Sequence, residues 1–172
     1  MDIRKQLLSD HSKSNTDEIV FFLLENPERL NELMEAFFSK DRLLQQRAAW
    51  VVGEMGRAEP AMIEPYHHKM IAHLKAPDLH DAVKRNTIRY LSESTIEEEL
   101  WGEAYDLAIR CLSSNHEKIA IKVFSMTLAL NIVKKIPELK EELRYLIEEQ
   151  MPYGSPGFKN RGTKTLTVLG KL

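Results

Sequence analysis

A short apolar and basic stretch returns along this chain at a nearly constant interval, and that interval limits the fold more than any other feature. Ala82-Val83-Lys84-Arg85-Asn86-Thr87 comes back as Ala120-Ile121-Lys122-Val123-Phe124-Ser125 and as Gly157-Phe158-Lys159-Asn160-Arg161-Gly162. A worn earlier version is Leu43-Leu44-Gln45-Gln46-Arg47-Ala48. The apolar anchors Leu44, Val83, Ile121 and Phe158 stand 39, 38 and 37 residues apart. A period in this range marks an array in which each unit is one supersecondary element that cannot cover its own apolar face.

The spacing within a unit is helical. With the anchor at position zero, positions 0, +4, +7, +8 and +11 fall on one stripe. They read Leu44, Ala48, Val51, Val52 and Met55, then Val83, Thr87, Tyr90, Leu91 and Ser94, then Ile121, Ser125, Leu128, Ala129 and Ile132. Position +4 is small in every copy: Ala48, Thr87, Ser125 and Gly162. A small side chain at a fixed place lets a neighbouring helix backbone come close. No segment alternates with period two, so no strand is expected.

The chain reads as two alternating helix types. Motif helices are expected over about 41–56, 79–94, 116–135 and 156–170, with partner helices over about 27–39, 60–75, 96–113 and 137–151. Asp41, Asp78 and Asn115 are the expected caps of three motif helices, spaced by 37 each time, and Ser155 caps the fourth. Gly56, Pro77, Ser113-Ser114 and Pro152 are the expected stops. A polar helix over 2–13 and a short apolar one from Thr16 form a cap. Ile19 to Leu24 are too apolar to stand in water, which calls for packing on both sides of that helix. The helix over 116–135 is apolar nearly all round, as a central helix would be.

These residues carry a resemblance to HEAT repeats, whose second helix has an apolar-basic start, small residues in the middle and a Leu-Gly-like end. Leu44 to Gly53 is the closest copy, although Gln45 departs from the basic second position that Lys84, Lys122 and Lys159 keep. The resemblance covers about 27–170. It implies one all-α domain over 1–172: a right-handed α-α superhelix, or solenoid, of about four HEAT-like pairs. The cap is 1–25 and the repeats are about 27–56, 60–94, 96–135 and 137–170. It implies too a non-catalytic scaffold that binds a protein partner or acidic peptide on its concave face.

Composition narrows the function classes. At 172 residues the chain is long enough to bury a core, and a net charge of -2 selects neither nucleic acid nor an acidic membrane. The single Cys111 sits in an amphipathic helical pattern and suits a buried thiol in a reducing, cytoplasmic setting. No apolar run is long enough for a signal peptide or a membrane span.

Positions +2 and +6 point away from the stripe, and in HEAT-like solenoids that side lines the concave wall. They read Gln46 and Trp50, Arg85 and Arg89, Val123 and Thr127, Asn160 and Lys164. With Lys84, Lys122, Lys159 and Arg161 they make a basic strip, and from Met151 onward there are four basic residues and no acidic one. Two readings stand. Gln46, Trp50, Lys84, Arg85, Arg89, Lys122, Lys159, Arg161 and Lys164 hold a partner, an acidic segment or, as the alternative, a nucleic-acid backbone; or the lysines pair with acids of neighbouring repeats and Trp50 packs on a neighbouring helix.

No catalytic site, cofactor, metal or small-molecule substrate is expected. Gly157 to Thr165 nearly spells a phosphate loop, but Thr163 intervenes before Lys164 and a helix precedes it. Met151-Pro152-Tyr153 faintly resembles the Met-Pro loop of the fumarase and adenylosuccinate lyase superfamily. That family's serines precede the Met-Pro and its Lys follows closely, whereas Glu149-Gln150 precede here and Lys159 is remote. His67, His68, His73 and His80 lack ligand spacing and read as solvated or edge residues. Glu99, Glu103 and Asp106 read as a solvated acidic face.

Overall fold

The computed structural model describes residues 1–172, and all its regular structure is helical. The chain is thus all-α. It divides into two compact units, Met1–Ser94 and Thr95–Leu172, and the seam falls between the second and third expected repeats.

The first unit holds α1 (Ile3–Ser9), α2 (Lys13–Glu25), α3 (Leu30–Phe37), α4 (Arg42–Ala58), α5 (Pro60–Ile63), α6 (His67–His73) and α7 (Asp81–Glu93). The long helix α4 lies at its centre, with α1, α2, α3 and α7 packed round it. The leading pair is tied by Asn15, whose Nδ2 donates to the carbonyls of Gln6 and Asp10 at 3.0 and 2.8 Å. Ser12 caps α2 by accepting from the Asn15 amide.

The second unit holds α8 (Trp101–Ser113), α9 (Ile119–Val133), α10 (Lys140–Gln150) and α11 (Pro156–Leu169). Here α9 is central, packed against α8 and α11 and touched by α10. It has no polar face to turn outward, which is why it occupies that place.

The stripe lands where the 3.6-residue period puts it. Leu44, Val83, Ile121 and Phe158 are all buried, as are Val51, Val52, Met55, Tyr90, Leu91, Leu128, Ala129 and Ile132. At the small position Ala48, Thr87, Ser125 and Gly162 are buried too. A Cβ on Gly162 would stand 2.7 Å from Met151 Sδ and 3.2 Å from Ile147 Cγ2, so α10 crosses α11 closely there. The buried hydroxyls of Thr87 and Ser125 make no hydrogen bond. An unmade bond costs about 1–3 kcal/mol, so smallness and not polarity is what that position requires.

Several expected boundaries are corrected. Asp41 caps α4, accepting from the Leu43 and Leu44 amides at 3.1 Å. Asp78 does not cap α7, because it sits in a left-handed turn at φ 59. His80 does so instead, its Nδ1 accepting from the Ala82 amide at 3.1 Å. Asn115 is no cap either: α9 begins after Lys118 with no side-chain cap. Ser155 caps α11 as expected. Gly56 does not end α4, which continues to Ala58.

The partner helices share an entry that the periodicity did not reveal. Each is preceded by a 3-10 turn: Pro27–Arg29, Glu64–Tyr66, Glu98–Leu100 and Pro137–Leu139. Three of the four carry a proline in the first two positions, where its missing N–H leaves no bond unmade. The turn at Glu64–Tyr66 breaks the expected helix over 60–75 into α5 and α6.

Candidate partner-binding surface

In the first unit the expected strip is largely occupied by its own counter-charges. Trp50 is half-buried, with its indole edge-to-face against His11 at 5.1 Å and its Nε1 donating to Glu54 at 3.3 Å. Glu54 also takes Arg57 and, at 3.9 Å, Lys13, which is paired with Asp17. Arg57 reaches across to Glu93 at 3.0 Å, and Arg89 pairs with that same carboxylate at 3.1 Å. Three acids and three bases thus alternate from α2 over α4 to α7. Burial pulls the Arg57 guanidinium pKa down, and the hydrogen bonds to Glu54 and Glu93 more than offset that, leaving it raised. Gln46 and Lys84 are half-buried in the same unit, and Arg85 stands exposed and makes no ion pair.

In the second unit the cations divide differently. Lys122 is half-buried and donates to Gln150 Oε1 at 2.6 Å, while Gln150 Nε2 holds the Leu112 and Leu146 carbonyls. Burial lowers the Lys122 ammonium pKa, and Glu117 partly opposes this. Lys159 and Lys164 are exposed and Arg161 is half-buried; none makes an ion pair. All three lie on α11, which carries no acid. At the start of α11 opens a groove of about 780 Å³ between the α8–α9 turn and the α10–α11 turn. Ile119, Lys122, Leu146, Gln150, Tyr153 and Phe158 line it together with two carboxylates, Glu117 and Glu149. Tyr153 is 92% exposed and Ile119 50%. The sequence signal for this groove was an aromatic just past the Pro152 turn.

The other candidate chemistries resolve at named atoms. Gly157 to Thr165 lies inside α11, where the amides from Lys159 onward are bonded to backbone carbonyls and that of Phe158 to Ser155 Oγ, which is a helix turn and not a phosphate loop. Ser155 Oγ serves as the cap of that helix. No cluster of three or more metal-ligating side chains forms. His67 is not solvated: it is fully buried and hydrogen-bonded through Nε2 to Tyr90 Oη at 2.8 Å. His73 is half-buried against Phe37 and Phe38, with Nε2 2.9 Å from Gln45 Nε2, and burial lowers its pKa. His68 and His80 are exposed. Cys111 is buried and forms no disulfide. Glu103 is half-buried and Asp106 exposed on α8. No helix is long and apolar enough to cross a membrane.

A search of curated proteins and one of solved structures each return no match. HEAT repeats generally mediate protein–protein interaction. A family model described as a HEAT repeat domain matches residues 3–168, which carries the anchors, small positions and stripes described above, and the chain belongs to the HEAT repeat domain family.

Proposed function

We propose that the chain is a non-catalytic protein-interaction scaffold that takes an acidic segment of its partner, with the exposed side of α11 as the principal seat. The observation that supports this is the contrast in charge commitment. Arg89 and Arg57 are held by Glu93, whereas Lys159, Arg161 and Lys164 have no counter-charge and no acid on their own helix. Unpaired cations give up only water when an acidic partner arrives, while paired ones must first lose a carboxylate. Arg85 is the one exposed cation of the Trp50 face left for a partner, and Trp50 acts there as a rigid wall held by His11 and Glu54.

The architecture this reading assumes is a right-handed superhelix of about four helix pairs, with the outward positions of the motif helices on its concave wall. A cytoplasmic setting suits the buried thiol of Cys111. Binding of a labelled poly-glutamate peptide tests the seat. A K159E/R161E/K164E chain loses that binding and an R85A/R89A chain keeps most of it; equal loss in both variants overturns the choice of seat.

The same three cations favour one second reading, a nucleic-acid backbone. With about three phosphates neutralised, affinity for duplex DNA would fall with salt at a log–log slope of about -2.7. Salt-sensitive duplex binding with no peptide binding replaces the first reading by this one.

A further inference from the structure

The expectation that something packs on both sides of α2 is met on one side only. Ile19, Val20 and Leu23 are buried, while Phe21 is 63% and Leu24 42% exposed on the opposite face. Phe22 between them is half-buried under the Arg29 guanidinium, 5.1 Å from its ring centre. Around Phe21 and Leu24 stand Asp17, Glu18, Glu25 and Glu28, all exposed. Lys13 answers Asp17, and Gln6 Nε2 donates to Glu18 at 3.3 Å. Neither Glu25 nor Glu28 makes an ion pair, although the Arg29 guanidinium lies within electrostatic reach of Glu28. Two large apolar side chains in an acidic rim are the mark of an unfilled interface and not of a merely solvated helix.

The second unit carries the complement. On α11 the exposed side is basic and free of acid, and the groove at its start offers Tyr153 and Ile119 to an incoming apolar pair; the two acids of that groove, Glu117 and Glu149, belong to the α8–α9 turn and to α10 and not to α11. The two helices match in length, 13 and 14 residues, or about 20 Å each. We infer that the acid-rimmed apolar face of α2 docks on α11 and its groove in a second copy of this chain, so that copies associate head to tail. Phe21 and Leu24 enter the groove, and Glu25 and Glu28 meet Lys159 and Lys164. The inference rests on α11 as a seat for an acidic partner and names that partner. Because the contact joins two different patches, it is heterologous, and growth continues past the dimer with concentration unless the rotation closes a ring.

Sedimentation velocity on the whole chain, up to about 1 mM so that a contact of transient size registers, tests it. The chain shows concentration-dependent association. E25K/E28K and K159E/K164E each weaken it by at least about tenfold through like charges set face to face, and F21S/L24S weakens it similarly. The decisive arm mixes the two charge-reversed chains, which restores association because each reversed face meets its reversed counterpart. A chain that stays monomeric, association untouched by either reversal, or a mixture without rescue overturns the inference. Circular dichroism keeps misfolded variants out of the comparison. The poly-glutamate peptide separates the two ideas. If it binds α11 while the chain remains monomeric, the occupant is another protein, which sinks self-association and leaves the proposed seat intact.

Discussion

Gly56→Ala is the most informative single change in the first unit. A Cβ at this position of α4 would stand 2.1 Å from Tyr90 Cε2 and 2.7 Å from Cδ2 and Cζ. The ring cannot swing away freely, because Tyr90 is 1% exposed and its hydroxyl is 2.8 Å from His67 Nε2 in a fully buried pair. Overpacking of this kind costs about 2–3 kcal/mol. Losing the buried hydrogen bond as the ring shifts adds about 1–2 kcal/mol. Replacing a mid-helix glycine by alanine returns about 1 kcal/mol. The net loss is about 2–4 kcal/mol, a fall in Tm of roughly 5–15 °C for a chain of this size. Gly102→Ala is the control: its Cβ meets nothing within 4 Å at an exposed site in α8, so only the helix term remains, with a gain of about 0.5–1 kcal/mol. Urea and thermal melts followed by circular dichroism read both. Adding Tyr90→Leu to Gly56→Ala should show coupling above about 1 kcal/mol, since the two residues share one space. If Gly56→Ala is as stable as the parent, the close approach of α4 and α7 is wrong.

Arg57→Ala removes the bridge between Glu54 and Glu93 and should cost about 0.5–1 kcal/mol, with high salt erasing the difference; a salt-independent loss would point to packing instead. Burial lowers the His73 pKa in the folded chain below its ordinary value of 6.5. The unfolded chain therefore binds the proton first, and stability falls as pH drops through about 6.5, where the unfolded histidine titrates, until the folded one titrates as well. A His73→Phe variant should flatten that part of the stability profile, and an unchanged slope would assign it to another group. The Tyr105 hydroxyl donates to Glu142 Oε2 at 2.8 Å, and burial together with that carboxylate pushes its pKa up. Tyr105→Phe should cost about 1–2 kcal/mol by urea titration, and a neutral outcome would show that the bond does not hold α8 to α10.

How far the sequence led depends on the range of the interaction in question. The stripe from Leu44 to Met55 and the small position at Ala48, Thr87, Ser125 and Gly162 were legible because a helix turns the same way wherever it sits, so periodicity alone picks the covered face. Caps were less legible. Asp78 and Asn115 have the right chemistry at the right interval, yet a left-handed turn moves the first aside and α9 starts four residues beyond the second. His67 was placed at the surface because nothing near it in sequence announces Tyr90, 23 residues on, as its hydrogen-bond partner. The candidate strip shows the same limit. Arg89 meets Glu93 four residues on, within reach of a sequence reading, but that Glu93 also takes Arg57, 36 residues away on another helix, was not legible.

The packing of α9 between α8 and α11 has a consequence for how this chain is made. A ribosome that has just released Val133 has produced the most apolar helix of the second unit, and none of the residues of α10 or α11 that will cover one flank of it. Until another 36 residues, up to Leu169, have been added, that flank has no cover from its own chain. Messages truncated or stalled in this interval should yield insoluble product, whereas those that reach the end of α11 should not.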